Sequence, residues 1–312
     1  MAGTNSQRIR LGLVGIGKIA RDQHLPALAA DDRFELAATA SRNAQLDNVH
    51  GYPDVAAMIA GGHDLDAVSL CTPPDGRYEQ AVAAIDAGLH VMLEKPPATT
   101  LTEIAALAAR ARAKGVVLFT TWHSREAAGV EPAKAWLQGK SIEAVRITWR
   151  EDIRRWHPGQ EWILAAGGFG VFDPGINALS IATKILPDPL LLDSGWMDVP
   201  EGRGSPLAAE LKMRSGKAKV DVVLDFLQTG PQTWDIEVDT DAGTLRLGMG
   251  GSILQLPGAD EQKAPDREYP RLYARFAELV ATGESDVDVR PLQIVADAFM
   301  MAERRTTKAF AF

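Results

Sequence analysis

The sequence predicts an α/β protein of two domains: a doubly wound parallel sheet first, then an α+β domain built on an open antiparallel sheet. Three observations lead there. Short apolar runs alternate with helical stretches from Arg8 to about His123, a glycine-rich turn follows the first run, and beyond Trp122 the hydrophobic period changes to two. The division falls at residues 1–122 and 123–312, with the closing helices expected to pack back on the first domain.

In the first domain, strands are expected at Ile9–Val14, Phe34–Ala40, Ala67–Cys71, His90–Leu93 and Val116–Thr121, with helices such as Tyr78–Ala87 and Leu101–Lys114 between them. Strict alternation of this kind makes a parallel sheet covered on both faces. In the second domain Val145, Ile147 and Trp149 alternate with Arg146, Thr148 and Arg150, and Trp234, Ile236 and Val238 alternate with Asp235, Glu237 and Asp239. Val220, Val222, Leu224 and Phe226 repeat the period. One face of such a sheet is covered and the other meets water. A helix starting at Pro174 can supply the cover, and helices over Tyr269–Ala281 and Pro291–Arg304 close the chain.

Composition removes several functions. The 312 residues exceed one ordinary domain. A net charge of −8 without a basic stripe repels a phosphate backbone, so no nucleic-acid partner is expected. The single cysteine, Cys71, excludes an intrachain disulfide and fits a reducing, cytoplasmic compartment. It ends an apolar run, and its thiol reads as packing rather than as a nucleophile. The apolar stretch from Ile9 to Ala20 is interrupted by Lys18 and three glycines, unlike a signal peptide. No run reaches the roughly 20 apolar residues of a membrane span. The six histidines include no pair at metal-ligand spacing, so no metal is expected.

Gly15-Ile16-Gly17-Lys18-Ile19-Ala20 has the G-x-G-x-x-A form of a dinucleotide fingerprint, placed between an expected strand and an expected helix. Gly15 permits the tight turn, Gly17 lets backbone approach a pyrophosphate, and the helix N-terminus attracts the anion. The second strand ends at Ser41-Arg42, where a strictly NAD-binding unit often carries an acid. A hydroxyl and a guanidinium suit a 2′-phosphate instead, so NADP is expected to be preferred and NAD accepted. The cofactor contacts expected are Gly15, Ile16, Gly17, Lys18, Ile19, Ser41 and Arg42, joined by Cys71, Thr72 and Pro73 after the third strand and by Glu94 and Lys95 after the fourth.

Lys95, with Pro96 and Pro97 behind it, reads as a positioned ammonium group facing the nucleotide. In the second domain, Asp173 and Asn177 are four apart and share one face of a helix, downstream of Gly167, Gly168 and Gly170. Asp173 before Pro174 also suits an N-cap, and capping does not exclude chemistry. The run Glu151-Asp152-Ile153-Arg154-Arg155-Trp156-His157-Pro158 mixes carboxylate, guanidinium, indole and imidazole. It suits either a polyhydroxylated ligand or a solvated charged loop.

The glycine turn, Glu94-Lys95-Pro96 and the Asp173 segment resemble the Gfo/Idh/MocA oxidoreductase family, and the resemblance covers nearly the whole chain. Residues Gly15 to Pro26, Arg155-Trp156-His157-Pro158-Gly159-Gln160 and Phe172 to Ser180 are similar to its aldose 1-dehydrogenase branch. The resemblance implies a Rossmann domain and oxidation of a cyclic sugar, L-arabinose or D-galactose, at C1, with hydride transfer to nicotinamide and an aldonolactone as product. It implies Lys95 and Asp173 as catalytic residues, sugar contacts from His123, Glu151, Trp156 and Asn177, and Trp234 at the pocket wall. A homo-oligomer acting on a small-molecule sugar is expected. The wider family usually carries histidine at the place of Asn177, and asparagine cannot take a proton at neutral pH, so proton transfer falls to Lys95, Asp173 or both. A dehydrogenase for another polyol or inositol, and a non-catalytic NADP-responsive regulator, are the alternatives. Arg42→Ala is expected to raise the Michaelis constant for NADP far more than that for NAD, and steady-state kinetics with the two cofactors check it; equal losses would refute the phosphate contact.

Overall fold

The computed structural model describes residues 8–312, and the chain divides into two compact units. One takes the residues up to Thr121 together with Tyr269–Asp288; the other takes Trp122–Glu268 and Val289–Phe312. Among the described residues no helix is long and apolar enough to cross a membrane.

The first unit holds a six-stranded parallel sheet of β1 (Ile9–Val14), β2 (Phe34–Ala40), β3 (His50–Tyr52), β4 (Ala67–Leu70), β5 (His90–Leu93) and β6 (Leu118–Thr120). Their spatial order is β3-β2-β1-β4-β5-β6, so the chain reverses direction across the sheet between β1 and β4. Parallel strands need crossovers, and α1 (Leu25–Ala29), α2 (Val55–Ala60), α3 (Arg77–Asp86) and α4 (Leu101–Lys114) supply them. Thr100 opens α4 with a capping box, its hydroxyl accepting from the Glu103 N–H while the Glu103 carboxylate accepts from the Thr100 N–H.

A segment far along the chain completes this unit. Tyr269, Leu272, Tyr273 and Phe276 join Leu11, Phe34, Met92 and Phe119 in one core cluster. Phe276 stacks between Phe34 and Phe119, with ring centroids 6.3 and 6.2 Å away. Each fully buried ring of this kind contributes about 1.5–3 kcal/mol. The parallel sheet therefore has one apolar face closed by residues that follow eight of the nine strands of the second sheet.

In the second unit β7 (Ile142–Arg150), β8 (Leu190–Pro200), β9 (Ala208–Ser215), β10 (Ala218–Asp225), β11 (Thr233–Thr240), β12 (Gly243–Gly248), β13 (Ile253–Gln255), β14 (Gln262–Lys263) and β15 (Glu303–Thr307) form one nine-stranded sheet. It is antiparallel through most pairs, but β7 pairs parallel with β10 and β8 with β15. The remaining helices are α5 (Val130–Leu137), α6 (Ile153–Trp156), α7 (Phe172–Ile185), α8 (Glu268–Thr282) and α9 (Arg290–Met301). Helix α7 is buried over nearly all its length, as the cover the alternating strands required. The opposite face carries charge: Arg146 pairs with Glu237 and Asp239, Arg246 with Asp235, and Lys212 with Asp221.

Several expected elements shift by one or two residues at an end, and two differences bear on the sheet edge and the site. The helix expected over Pro291–Arg304 ends at Met301, because Ala302 turns to an extended conformation and Glu303–Thr307 joins the sheet edge beside β8. The helix expected from Pro174 begins at Phe172, with Val171 as its N-cap and no side-chain capping bond. Asp173 therefore lies inside the first turn rather than capping it.

Candidate active site

In the first unit the expected cofactor residues follow the carboxyl ends of the strands, where ligands of open parallel sheets bind. Gly15 follows β1 with φ +88°, and a side chain there would meet the Thr72 backbone nitrogen at 3.0 Å. Glycine is required by both conformation and space. Gly17 has no atom within 4 Å of the place a Cβ would take, which leaves room for a phosphate group to approach its backbone. Ile16 is buried, whereas Lys18 is exposed and pairs with Asp22. Ser41 follows β2, its N–H donating to the Tyr52 carbonyl at 2.9 Å, and Arg42 beside it is exposed. Cys71, Thr72 and Pro73 follow β4, Cys71 buried and Thr72 donating to Gln80 at 2.7 Å. The cradle fits a dinucleotide.

Lys95 stands half-buried at the end of β5, and its loop is clamped from two sides. Arg77, 2% exposed, donates to the backbone carbonyls of Glu94, Pro96 and Thr72. Glu94 is also buried, and its carboxylate accepts from the Lys95 N–H at 2.8 Å, the Tyr269 hydroxyl at 2.6 Å and His24 Nε2 at 3.0 Å. The other ring nitrogen of His24 lies 2.8 Å from the Tyr273 hydroxyl. Burial disfavours the imidazolium, yet electrostatic interaction with Cys71 and Tyr273 and hydrogen bonds to Cys71 and Glu94 outweigh it, and His24 is held well above the ordinary histidine range. Burial in turn pushes the Tyr273 phenol up.

In the second unit Glu151, Trp156 and Trp234 come together at one end of β7 and β11. Trp149 and Trp234 are register partners on β7 and β11, and Glu151 directly follows β7. Glu151, 5% exposed, accepts from Trp234 Nε1 at 2.9 Å. Trp156, at the end of α6, packs on Trp234 with centroids 5.5 Å apart, and its Nε1 donates to Gln232 at 3.4 Å. Asp152 caps α6 by accepting from the Arg154 N–H at 2.9 Å, which fixes where Trp156 emerges.

Asp173, 4% exposed in the first turn of α7, has its carboxylate 3.6 Å from His157 Nε2. The glycines upstream make that placement possible. A side chain at Gly170, φ +55°, would meet the Pro206 carbonyl at 2.2 Å, while the Val171 N–H donates to that same carbonyl at 2.7 Å. Asn177, one turn further along α7, is half-buried. His123 lies 2.5 Å from a Glu268 oxygen through Nδ1, and Arg125 ties its turn to α7 by donating to the Ser180 carbonyl and the Thr183 hydroxyl, both at 2.9 Å.

Sequence reasoning placed His157 in the polar run without giving it a role, although its neighbour Trp156 had one. Arg77 and Tyr273 carried no local signal, while His24 lay in the Gly15 to Pro26 match and Tyr269 at an expected helix start without a role in the site. Among the described residues, no group of three or more His, Cys, Asp or Glu side chains could hold a metal ion.

A dinucleotide cradle and a lysine loop in one unit, and buried acids among indoles in the other, are the parts of a nicotinamide-dependent oxidoreductase. Residues 9–122 match the oxidoreductase family with an NAD-binding Rossmann fold called Gfo/Idh/MocA. The chain is 40% identical over 305 residues to a galactose 1-dehydrogenase from Pseudomonas fluorescens, covering 97% of this chain and 99% of that one. The crystal structure of a D-galactose-1-dehydrogenase protein from Rhizobium etli superposes with a TM-score of 0.93 at 50% identity, over 97% of this chain and 98% of the other. A 3-ketoreductase from Actinomadura kijaniata, solved with NADP and TDP-benzene, shares the fold at a TM-score of 0.83 and 19% identity, over 96% of this chain and 100% of its own. The protein belongs to the Gfo/Idh/MocA oxidoreductase family.

Trp234→Phe keeps a ring beside Trp156 but removes the indole donor from buried Glu151. It is expected to cost about 1–3 kcal/mol of stability, measured by urea denaturation. An unchanged midpoint would show that the bond contributes nothing.

Proposed function

We propose that the protein is an NAD(P)-dependent aldose 1-dehydrogenase that oxidises C1 of L-arabinose or D-galactose to the aldonolactone, with NADP preferred over NAD. The observation that carries this reading is the cluster of the second unit, where the buried carboxylates of Glu151 and Asp173 stand beside His157, Trp156 and Trp234. Carboxylates hold sugar hydroxyls, and indole faces cover the C–H groups between them. The near-full-length similarity to galactose 1-dehydrogenase supports the same substrate class.

The bound nicotinamide supplies the hydride acceptor, and the protein supplies orientation and proton transfer. Ser41 and Arg42 would hold the 2′-phosphate, and the open backbone at Gly17 the pyrophosphate. Lys95, Asp173 or both take the proton of the C1 hydroxyl as the carbonyl forms. Asn177 cannot titrate and orients a ring hydroxyl instead. Glu151 and His123 hold further hydroxyls, and Trp156 and Trp234 form the apolar wall. The enzyme works as a cytoplasmic homo-oligomer on a small sugar.

L-arabinose and D-galactose share ring stereochemistry and differ by one exocyclic hydroxymethyl group. An apolar pocket separates such substrates by only about 1–3 kcal/mol, so both are expected to turn over. The test is a panel of D-galactose, L-arabinose and myo-inositol with NADP and NAD, followed by absorbance of the reduced cofactor, for the wild type and Lys95→Ala. The two aldoses are expected to react, with higher kcat/KM for NADP than for NAD, and Lys95→Ala is expected to lose roughly 10²-fold in kcat. Turnover of inositol alone, or a Lys95→Ala enzyme at wild-type speed, overturns the reading.

A further inference from the structure

We propose that His24 is a positioning residue for Lys95: its buried ring, through Glu94, fixes the backbone from which the lysine projects. The inference rests on the reading of Lys95 as catalytic, and it assigns a role to a residue outside both the nucleotide fingerprint and the lysine motif.

The geometry begins at the nucleotide turn. A π-helical stretch, Ala20–His24, follows the glycine turn directly, and His24 is its last residue. Single π turns within helices are uncommon and frequently mark functional positions. Here the stretch ends in a side chain that is 0% exposed, with both ring nitrogens engaged. Nε2 faces the Glu94 carboxylate at 3.0 Å, and a carboxylate can only accept, so Nε2 carries a proton. Nδ1 faces the Tyr273 hydroxyl at 2.8 Å. Tyr269 and Tyr273 also meet the ring edge-on, with centroids 4.8 and 5.8 Å away, which fixes its plane.

The groups facing His24 come from every neighbouring element. Glu94 arrives from the end of β5, Tyr269 and Tyr273 from α8, and Ser69 and Cys71 from β4, with Ser69 Oγ 3.4 Å from Nδ1 and 3.7 Å from the thiol. A carboxylate taken out of water is costly unless it is paired and hydrogen-bonded. His24, its charged form favoured by the upward displacement of its ring, meets Glu94 on one oxygen, and the other oxygen is left to accept the Lys95 N–H at 2.8 Å. Arg77 meanwhile grips the carbonyls on either side of Lys95. The lysine thus stands on a backbone held at the N–H by an anion and at the carbonyls by a cation. Loss of the His24 charge frees the anion to seek other donors, and the N–H anchor loosens.

The sign of the pH dependence follows from the upward displacement of His24. Its stabilising contribution is complete below the unfolded histidine value of about 6.5 and persists above it. It is lost as pH rises through the higher folded value.

The test uses the full-length enzyme. Imidazole ¹⁵N NMR at about pH 7 is expected to show both His24 nitrogens protonated, whereas an unperturbed histidine would be mostly neutral there. His24→Gln, which keeps a donor without the charge, is expected to lose about 10²-fold in kcat while sugar KM and NADPH affinity, by fluorescence titration, stay within about threefold. Glu94→Gln is expected to behave alike, and the double variant to be no worse than either single one. Labelling of Lys95 with trinitrobenzenesulfonate, read by mass spectrometry, reports its setting without any sugar turnover, and its pH profile is expected to shift in both variants. A wild type inert toward every sugar defeats the proposed function, and the NMR and labelling results then still decide the role of His24. A neutral His24 ring, or variants with unaltered kcat and Lys95 labelling, overturns the proposal.

Discussion

A carboxylate removed from water must be surrounded by donors, and Glu94 imposes that demand at the centre of the first unit. Its partners come from the helix after the nucleotide turn, from its own backbone and from α8. Satisfying one anion therefore brings three distant stretches of chain into register. The lysine loop inherits its shape from that requirement, because the next N–H in the chain is one of the donors. Arg77 completes the frame with the opposite charge, spending its guanidinium on backbone carbonyls rather than on a side-chain acid.

The second unit answers the same demand with aromatic residues. Sheet register sets Trp149 opposite Trp234, and the alternation of the strand then aims Glu151 toward the same end. Its carboxylate is met by an indole N–H, a donor that brings a broad apolar face with it. Asp173 is buried by a different device, a glycine-rich approach that lets the start of α7 press against the Pro206 loop. Both acids are thus buried by the particular shapes of their neighbours. The polarity of the site and its shape come from the same side chains.

Much of this was legible in the chain. β1, β2 and β5 were readable because buried parallel strands are unbroken apolar runs, and α4 because its apolar period begins at a capping threonine and ends at Gly115. The short elements β3 and α2 were not, since three and six residues give too little periodicity. β15 was hidden because the apolar pattern of α9 leads straight into it. In the site, Lys95, Asp173 and the Glu151 to Trp156 run stood out through local chemistry. The His24, Glu94 and Tyr269 contacts span 70 and 175 positions, and no local pattern encodes a bond of that reach. The run of the second sheet also concealed its two parallel pairs, because alternation shows which face a strand buries but not which neighbour it takes.

The placement of α8 has a consequence for how the chain is made. Domains generally fold as units during synthesis, N-terminal first. The first unit cannot finish that way, because Tyr269, Tyr273 and Phe276 are synthesised after the last residues of β14. Until they leave the ribosome, Phe34 and Phe119 lack their stacking partner and Glu94 lacks the Tyr269 hydroxyl. The nascent parallel sheet must wait with an apolar face uncovered while all of the second sheet but its last strand emerges, so the nucleotide-binding half matures late despite being made first.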